Sequence, residues 1–119
     1  MQHYRELLVW QKGMMLARLC YESTGEFPRS EIFGLTSQIR RAGASIPANI
    51  AEGHSRSHTK EFLNHLSIAK GSLAELETHL ILSQQIGFLT EERLALLLVQ
   101  CDEISRMLAS LRKSLEARL

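Results

Sequence analysis

The sequence contains few prolines, cysteines and aromatic residues, and these shortages narrow the class of protein. Two prolines and seven aromatic side chains stand in a chain of 119 residues that is 45% hydrophobic, with leucine dominant. A leucine-rich chain with few β-branched residues and prolines favours helices over strands. A chain of this length fits a single domain, residues 1–119, with a modest core.

No feature of the sequence indicates export or membrane insertion. The longest aliphatic run, residues 94–99, is far too short to span a bilayer, and the N-terminus lacks the apolar stretch of a signal peptide. The two cysteines, Cys20 and Cys101, lie far apart and among apolar residues, which is typical of reduced core cysteines. We therefore expect a cytoplasmic protein that does not bind a membrane.

Motifs that carry chemistry are missing. No Glu is followed three residues later by His, which excludes the di-iron bundles, and no glycine-rich phosphate loop or nucleophile elbow is present. His58, Glu61 and His65 share one helix face, but no partner ligands accompany them. We expect no enzyme activity, no metal and no cofactor.

The apolar periodicity predicts four helices, at about residues 5–23, 31–53, 58–86 and 90–119. In the last three, seam residues recur at alternating steps of four and three, the pattern of a bundle helix. Gly87 is expected to end helix three and Thr90 to cap helix four. The predicted seam residues are Leu35, Ile39, Ala42, Ile46, Asn49 and Gly53 in helix two, Phe62, Leu66, Ala69, Leu73, Leu76 and Leu80 in helix three, and Leu94, Leu97, Cys101, Ile104, Leu108, Leu111 and Leu115 in helix four. Long amphipathic helices joined by short loops favour antiparallel neighbours. The sequence thus predicts an all-α fold, an antiparallel up-down-up-down four-helix bundle, with helix two kinked at Pro47 because proline crowds the preceding turn.

Two helices have surfaces that a lone bundle would leave uncovered. Helix one is apolar on more than one face and carries Trp10, while the back of helix two has the small residues Ala44, Ala48 and Ala51. We expect these four residues to lie at a homo-oligomer interface. Gly71, in the middle of helix three, costs about 1 kcal/mol relative to alanine and predicts close packing at that point.

Basic residues concentrate between residues 29 and 60, although the net charge of the chain is only +1. Arg40, Arg41, Arg56 and Lys60 are the candidates for binding nucleic acid, since guanidinium groups suit phosphate oxygens. The alternative is that the same side chains form salt bridges to neighbouring helices. The sequence alone leaves both interpretations open.

Four blocks of sequence resemble one family. They are residues 8–12 (LVWQK), 33–42 (FGLTSQIRRA), 45–56 (SIPANIAEGHSR) and 68–77 (IAKGSLAELE), and together they are similar to the 23S rRNA intervening-sequence proteins of bacteria. The resemblance implies a four-helix bundle, assembly as a ring with five subunits, and association with RNA or a ribonucleoprotein. The alternative function is a scaffold that binds other proteins and no nucleic acid.

Overall fold

The computed structural model describes residues 3–119, and within that range the chain forms helices and no strand. The four α-helices are α1 (Leu8–Ser23), α2 (Leu35–His54), α3 (Thr59–Gln85) and α4 (Glu91–Glu116), with short 3₁₀ turns at Tyr4–Glu6 and Arg29–Glu31. The molecule measures 46 × 23 × 20 Å. The prediction of an all-α fold is confirmed.

Each helix packs against two others around a square. α1 contacts α2 and α4, and α3 contacts the same two helices. Contacts pair an early residue of one helix with a late residue of the next: a Cβ built on Gly13 would lie 3.3 Å from Pro47 Cβ, and one on Gly43 would lie 3.1 Å from Cys20 Sγ. Between α2 and α3, Ser45 bonds Ser72 near the middle of both helices, and a Cβ on Gly53, at the end of α2, would lie 2.9 Å from Phe62 Cδ1 near the start of α3. The bundle architecture is confirmed.

The predicted seams form the core. The fully buried seam residues are Ile39 and Ile46 of α2, Leu66, Ala69, Leu73, Leu76 and Leu80 of α3, and Leu97, Cys101 and Ile104 of α4. Each buried leucine or isoleucine contributes about 1.5–3 kcal/mol relative to its exposed state. The 4-3 spacing therefore identified the faces that hold the bundle together.

The start of α2 differs from the prediction, which placed it near residue 31. The carboxylate of Glu31 accepts a hydrogen bond from the backbone N–H of Leu35 at 3.0 Å and so caps the helix from outside it. Gly34 permits this arrangement because a Cβ there would lie 2.6 Å from Glu31 Oε1. As a result α2 begins at Leu35, and Phe33 projects from the turn with 92% of its surface exposed.

Pro47 lies inside α2, which continues from Leu35 to His54 without a break. The ring of Pro47 is buried, and a Cβ on Gly13 would approach it to 3.3 Å. The proline thus fits against a glycine of α1. The kink that the sequence predicts here stays a prediction.

Gly71 does not lie where helices meet. It is exposed, and a Cβ added to it would have no atom within 4 Å. The prediction of close packing at Gly71 was wrong, because a glycine in mid-helix signals tight packing only when its face turns toward a neighbour. The close approach between α2 and α3 occurs instead near the start of α3, where Gly53 of α2 packs against Phe62 and His65.

Candidate nucleic-acid interface

Charge is distributed unequally along the bundle. The half that holds the α2–α3 turn comprises residues 3–17, 45–69 and 106–119 and carries eight basic and four acidic residues. The other half carries six basic and nine acidic residues. Four of the five histidines (His3, His54, His58 and His65) also lie in the first half. We call its tip, where the α2–α3 turn meets the C-terminal turn of α4, the basic end.

A pocket of about 230 Å³ opens at the basic end. Its apolar lining, which we call the interior, is formed by Leu7, Phe62, Leu111 and Leu115. Its polar and basic lining, which we call the rim, is formed by His54, Arg56, Ser57, His58, Thr59 and Arg118, and all of these except His54 and Thr59 are exposed. All the titratable groups that line the pocket are bases. Anions are therefore favoured at the rim, while the interior favours an apolar or planar group.

The basic side chains at the basic end differ in how far they are neutralised. Arg56 pairs with Glu52 at 2.9 Å and lies 3.9 Å from Glu61. Lys60 and Arg118 are exposed and form no ion pair with any residue between 3 and 119. Exposed pairs such as Arg56–Glu52 are worth about 0.2–1 kcal/mol, so a phosphate competes easily for this arginine.

Two rings define one wall of the pocket. His54, at the end of α2, and Phe62, in the first turns of α3, meet edge to face with centroids 5.8 Å apart and planes at 85°. Gly53 makes this contact possible, since a Cβ there would lie 2.9 Å from Phe62 Cδ1. α3 begins at Thr59 beside the rim without a side-chain cap, which adds positive potential there.

A polar network fixes the angle between α2 and α3 below the pocket. His65 Nδ1 lies 3.1 Å from Asn49 Oδ1, and Asn49 donates to the backbone carbonyl of Ser45 at 2.9 Å. Ser45 in turn shares a 2.8 Å hydrogen bond with Ser72. These bonds lie at the partly buried seam, so their role is to hold the two helices that carry the rim.

The structure separates the four sequence-predicted nucleic-acid candidates into two pairs. Arg56 and Lys60 lie at the basic end, whereas Arg40 and Arg41 lie about 22 Å along α2 from Arg56. Arg40 is bound within the subunit: its Nε donates to Thr24 Oγ1 at 2.9 Å, and its guanidinium lies 4.6 Å from the ring centre of Tyr21. Arg41 is exposed.

The predicted oligomer-interface residues lie on the outer surface of α1 and α2. Ala44 and Ala48 are exposed and Ala51 is half-buried, all on the side of α2 that faces away from the core. Tyr21 of α1, 51% exposed, lines the same shallow groove as Ala44. Trp10 is half-buried and packs edge to face on Tyr4, 5.5 Å between centroids, so the subunit itself covers part of its ring.

Sequence reasoning missed the contribution of α4 to the basic end. Arg112 donates to the carbonyl of Leu63 at 2.9 Å, which places the last turns of α4 beside the start of α3, and Lys113 and Arg118 follow on its exposed surface. These residues are some fifty positions from Lys60 in sequence. The signal that reveals them is the matching length of α3 and α4, which brings the end of one to the start of the other.

The two cysteine thiols are buried and unreactive. Burial raises the pKa of both thiols, Cys20 and Cys101, to about 12, so both are protonated at neutral pH and poor nucleophiles. Between residues 3 and 119, His, Cys, Asp and Glu side chains form no group of three that suits a metal ion. No helix in that range is long and apolar enough to cross a bilayer.

Comparisons with known proteins agree on one family. The family model described as 23S rRNA-intervening sequence protein matches residues 5–110. A crystal structure of a protein of unknown function from the S23 ribosomal protein family of Bacteroides thetaiotaomicron is 29% identical, with a TM-score of 0.79. The match covers 89% of this chain and 99% of that one. No curated protein matches the sequence.

Proposed function

Because this chain belongs to the 23S rRNA-intervening sequence protein family, we propose that it is a non-enzymatic bundle that associates with RNA through its basic end. The observation that carries the proposal is the asymmetry of charge: eight basic residues against four acidic ones in the half that contains the pocket. Phosphate contacts supply most of the sequence-independent affinity for RNA, and they require basic groups that are not already paired with carboxylates.

Lys60 and Arg118 are the foremost phosphate contacts in this proposal. Both are exposed at the basic end, Arg118 at the rim of the pocket and Lys60 next to Arg56, and neither is neutralised by a neighbouring carboxylate among residues 3–119. Arg56 joins them by exchanging Glu52 for a phosphate oxygen. Arg40 serves the α1–α2 contact instead, because Tyr21 and Thr24 already occupy its guanidinium.

One subunit offers too few charges for strong binding at physiological salt, so the proposal includes self-association. The outer face of α2 is small and uncharged from Ala44 to Ala51, and exposed Met14 and Tyr21 lie on the adjoining side of α1. A second copy of the chain that packs on this surface covers both. A ring, which the family resemblance suggests has five members, repeats the basic end once per subunit.

The test of RNA association is the salt dependence of binding to a labelled 23S rRNA fragment. For the double variant Lys60→Gln/Arg118→Gln we expect weaker binding. The slope of log binding constant against log salt concentration should be shallower by about 1–2, because each lost phosphate contact reduces that slope by roughly 0.7–0.9. The matched control, Arg29→Gln/Arg93→Gln, removes two exposed arginines from the opposite end and should leave the slope unchanged. No binding by the unaltered protein, or equal losses in both doubles, refutes the proposal.

The test of self-association uses one exposed alanine on each of two helices. Ala48→Glu buries a carboxylate in the proposed contact and should convert the assembly to monomers in light scattering. Ala109→Glu, at an exposed position of α4, should leave the assembly intact. A protein that is monomeric before any substitution contradicts this part of the proposal.

A protein partner is the second candidate function, and Phe33 favours it. Its ring is 92% exposed on a turn that Glu31 holds in place, and Ile32 beside it is 51% exposed. Exposed aromatic residues of this kind are frequent anchors in protein interfaces. A protein captured through Phe33, together with the absence of RNA binding, would favour the scaffold over the RNA-associated protein.

A further inference from the structure

The pocket at the basic end has two chemically different parts, and RNA binding by charge alone does not explain the inner one. Its interior is formed by Leu7, Phe62, Leu111 and Leu115. Three of these are half-buried and Leu115 is 4% exposed, so apolar surface remains open at the tip of the molecule. A phosphate contact needs the rim but gains nothing from such an interior.

The size of the pocket limits what enters it. Its volume, about 230 Å³, lies below the roughly 300–1,000 Å³ of pockets that enclose drug-sized ligands. A single planar ring system fits such a space, whereas a stacked dinucleotide does not. Phe62 presents a ring in the wall, and unpaired bases commonly stack on aromatic side chains.

We propose that this pocket binds one nucleotide, with its base in the apolar interior beside Phe62 and its phosphate at the rim against Arg118 and Arg56. Ser57 and Thr59 place hydroxyl groups at the same rim, within the reach of a ribose or phosphate. The nucleotide is either an unpaired residue of an RNA strand or a free nucleoside monophosphate. The first source rests on the proposed function, and the second does not.

Selectivity follows from this geometry. A base inside a duplex is stacked and paired, so it does not enter a pocket of this depth, whereas a loop or bulge presents an unpaired base. The protein should therefore prefer a hairpin RNA with an open loop to a blunt duplex of the same length. Phosphate contacts alone would not distinguish the two in this way.

The experiment uses a hairpin RNA whose loop carries a single 2-aminopurine, a fluorescent base that reports stacking. Binding to the full-length protein should change its fluorescence. Phe62→Leu removes the ring but keeps an apolar side chain, and Ser57→Met places a flexible apolar chain over the mouth. Both variants should bind the hairpin about tenfold more weakly, as expected for the loss of one stacked base, and lose the fluorescence change.

The controls repeat the same substitutions at the opposite end of the bundle. Phe88→Leu alters a half-buried ring and Ser30→Met an exposed side chain there, and both variants should bind the hairpin as the unaltered protein does. A melting curve for each variant verifies that it is folded. Hairpin binding that keeps its affinity and fluorescence change in Phe62→Leu and Ser57→Met overturns the pocket while the proposed RNA association stands.

Free AMP forms the second arm, followed by the NMR signals of the His54, His58 and Phe62 rings. Shifts of these signals with AMP, without any binding of RNA, support the pocket, assign it to free nucleotides and refute the proposed RNA association. If the protein neither binds the hairpin nor shows shifts with AMP, both the pocket and the proposed RNA association are overturned. The failure of the pocket and the failure of the proposed function are thus separate results.

Discussion

Two glycines in helices, Gly53 and Gly71, should respond oppositely to the same substitution. Alanine is favoured over glycine within a helix by about 0.8–1 kcal/mol. At Gly71 a Cβ meets no atom within 4 Å, so Gly71→Ala should gain that full amount. At Gly53 a Cβ would lie 2.7 Å from His65 Cβ and 2.9 Å from Phe62 Cδ1. Overpacking of this kind typically costs 1–3 kcal/mol.

The net effect of Gly53→Ala is then a loss of about 1 kcal/mol, because α3 must move away from α2 to admit the methyl group. For a domain of this size 1 kcal/mol corresponds to about 4 °C. We therefore expect the melting temperature to rise by about 4 °C for Gly71→Ala and to fall by a similar amount for Gly53→Ala. The two variants should be compared at one protein concentration, since assembly adds to apparent stability. Equal stabilisation by both would refute the packing of α2 on α3 at Gly53.

Three further predictions concern Pro47, the arginine pair of α2 and the cysteines. Pro47→Ala favours an isolated helix by about 3 kcal/mol but removes the ring that packs on Gly13 of α1. Because the proposed contact between subunits uses the outer faces of α1 and α2, a change in how these helices pack should appear as altered assembly in light scattering. Unchanged assembly with a higher melting temperature would show the proline to be a tolerated defect. Arg40→Gln should lower the melting temperature, since Arg40 bonds Thr24, whereas Arg41→Gln should not; the reverse order would contradict the roles assigned to them. Thiol reagents at pH 8 should label Cys20 and Cys101 only after unfolding, and rapid labelling of the folded protein would contradict their burial. Because burial raises the pKa of both thiols from 9.0 to about 12, the thiols of the unfolded chain lose their protons first, and the free energy of unfolding should fall as the pH rises above about 9.

The helices and their buried faces were accessible from the sequence because periodicity depends on local spacing. The seam of α3 was read from Leu66, Leu73 and Leu80, and all three are buried. Thr90 was predicted to cap α4, and its side chain accepts from the backbone N–H of Arg93 at 3.1 Å. Gly87, predicted to end α3, has a φ of 88°, which suits glycine. Each of these features is decided within a few residues of chain.

Features decided between helices were not accessible in the same way. The start of α2 was placed too early because the side chain of Glu31 bonds Leu35, a contact that mimics a helical turn without belonging to one. Close packing was predicted at Gly71 because a glycine in mid-helix does not itself reveal whether it faces another helix or solvent. Arg40 and Arg41 look equivalent in sequence, yet only Arg40 reaches Tyr21.

The basic end shows the same limit for function. Arg56 and Lys60 were identified as a cluster of neighbours in sequence, but Arg118 joins them only once α4 has packed against α3. The pocket lies between the ends of three helices and a turn before α1, so no single segment predicts it. Charge summed over the whole chain, at +1, hides the asymmetry entirely.

The measurement that tests the central claim most directly is hydrogen exchange of the protein with and without a 23S rRNA fragment. If the basic end holds the RNA, backbone amides in residues 54–60 and 112–118 should exchange more slowly in the complex. Residues 26–33 and 86–93, at the opposite end of the bundle, should exchange at the same rate with and without RNA. Slower exchange confined to that opposite end, or to α2 around Arg41, would contradict the account.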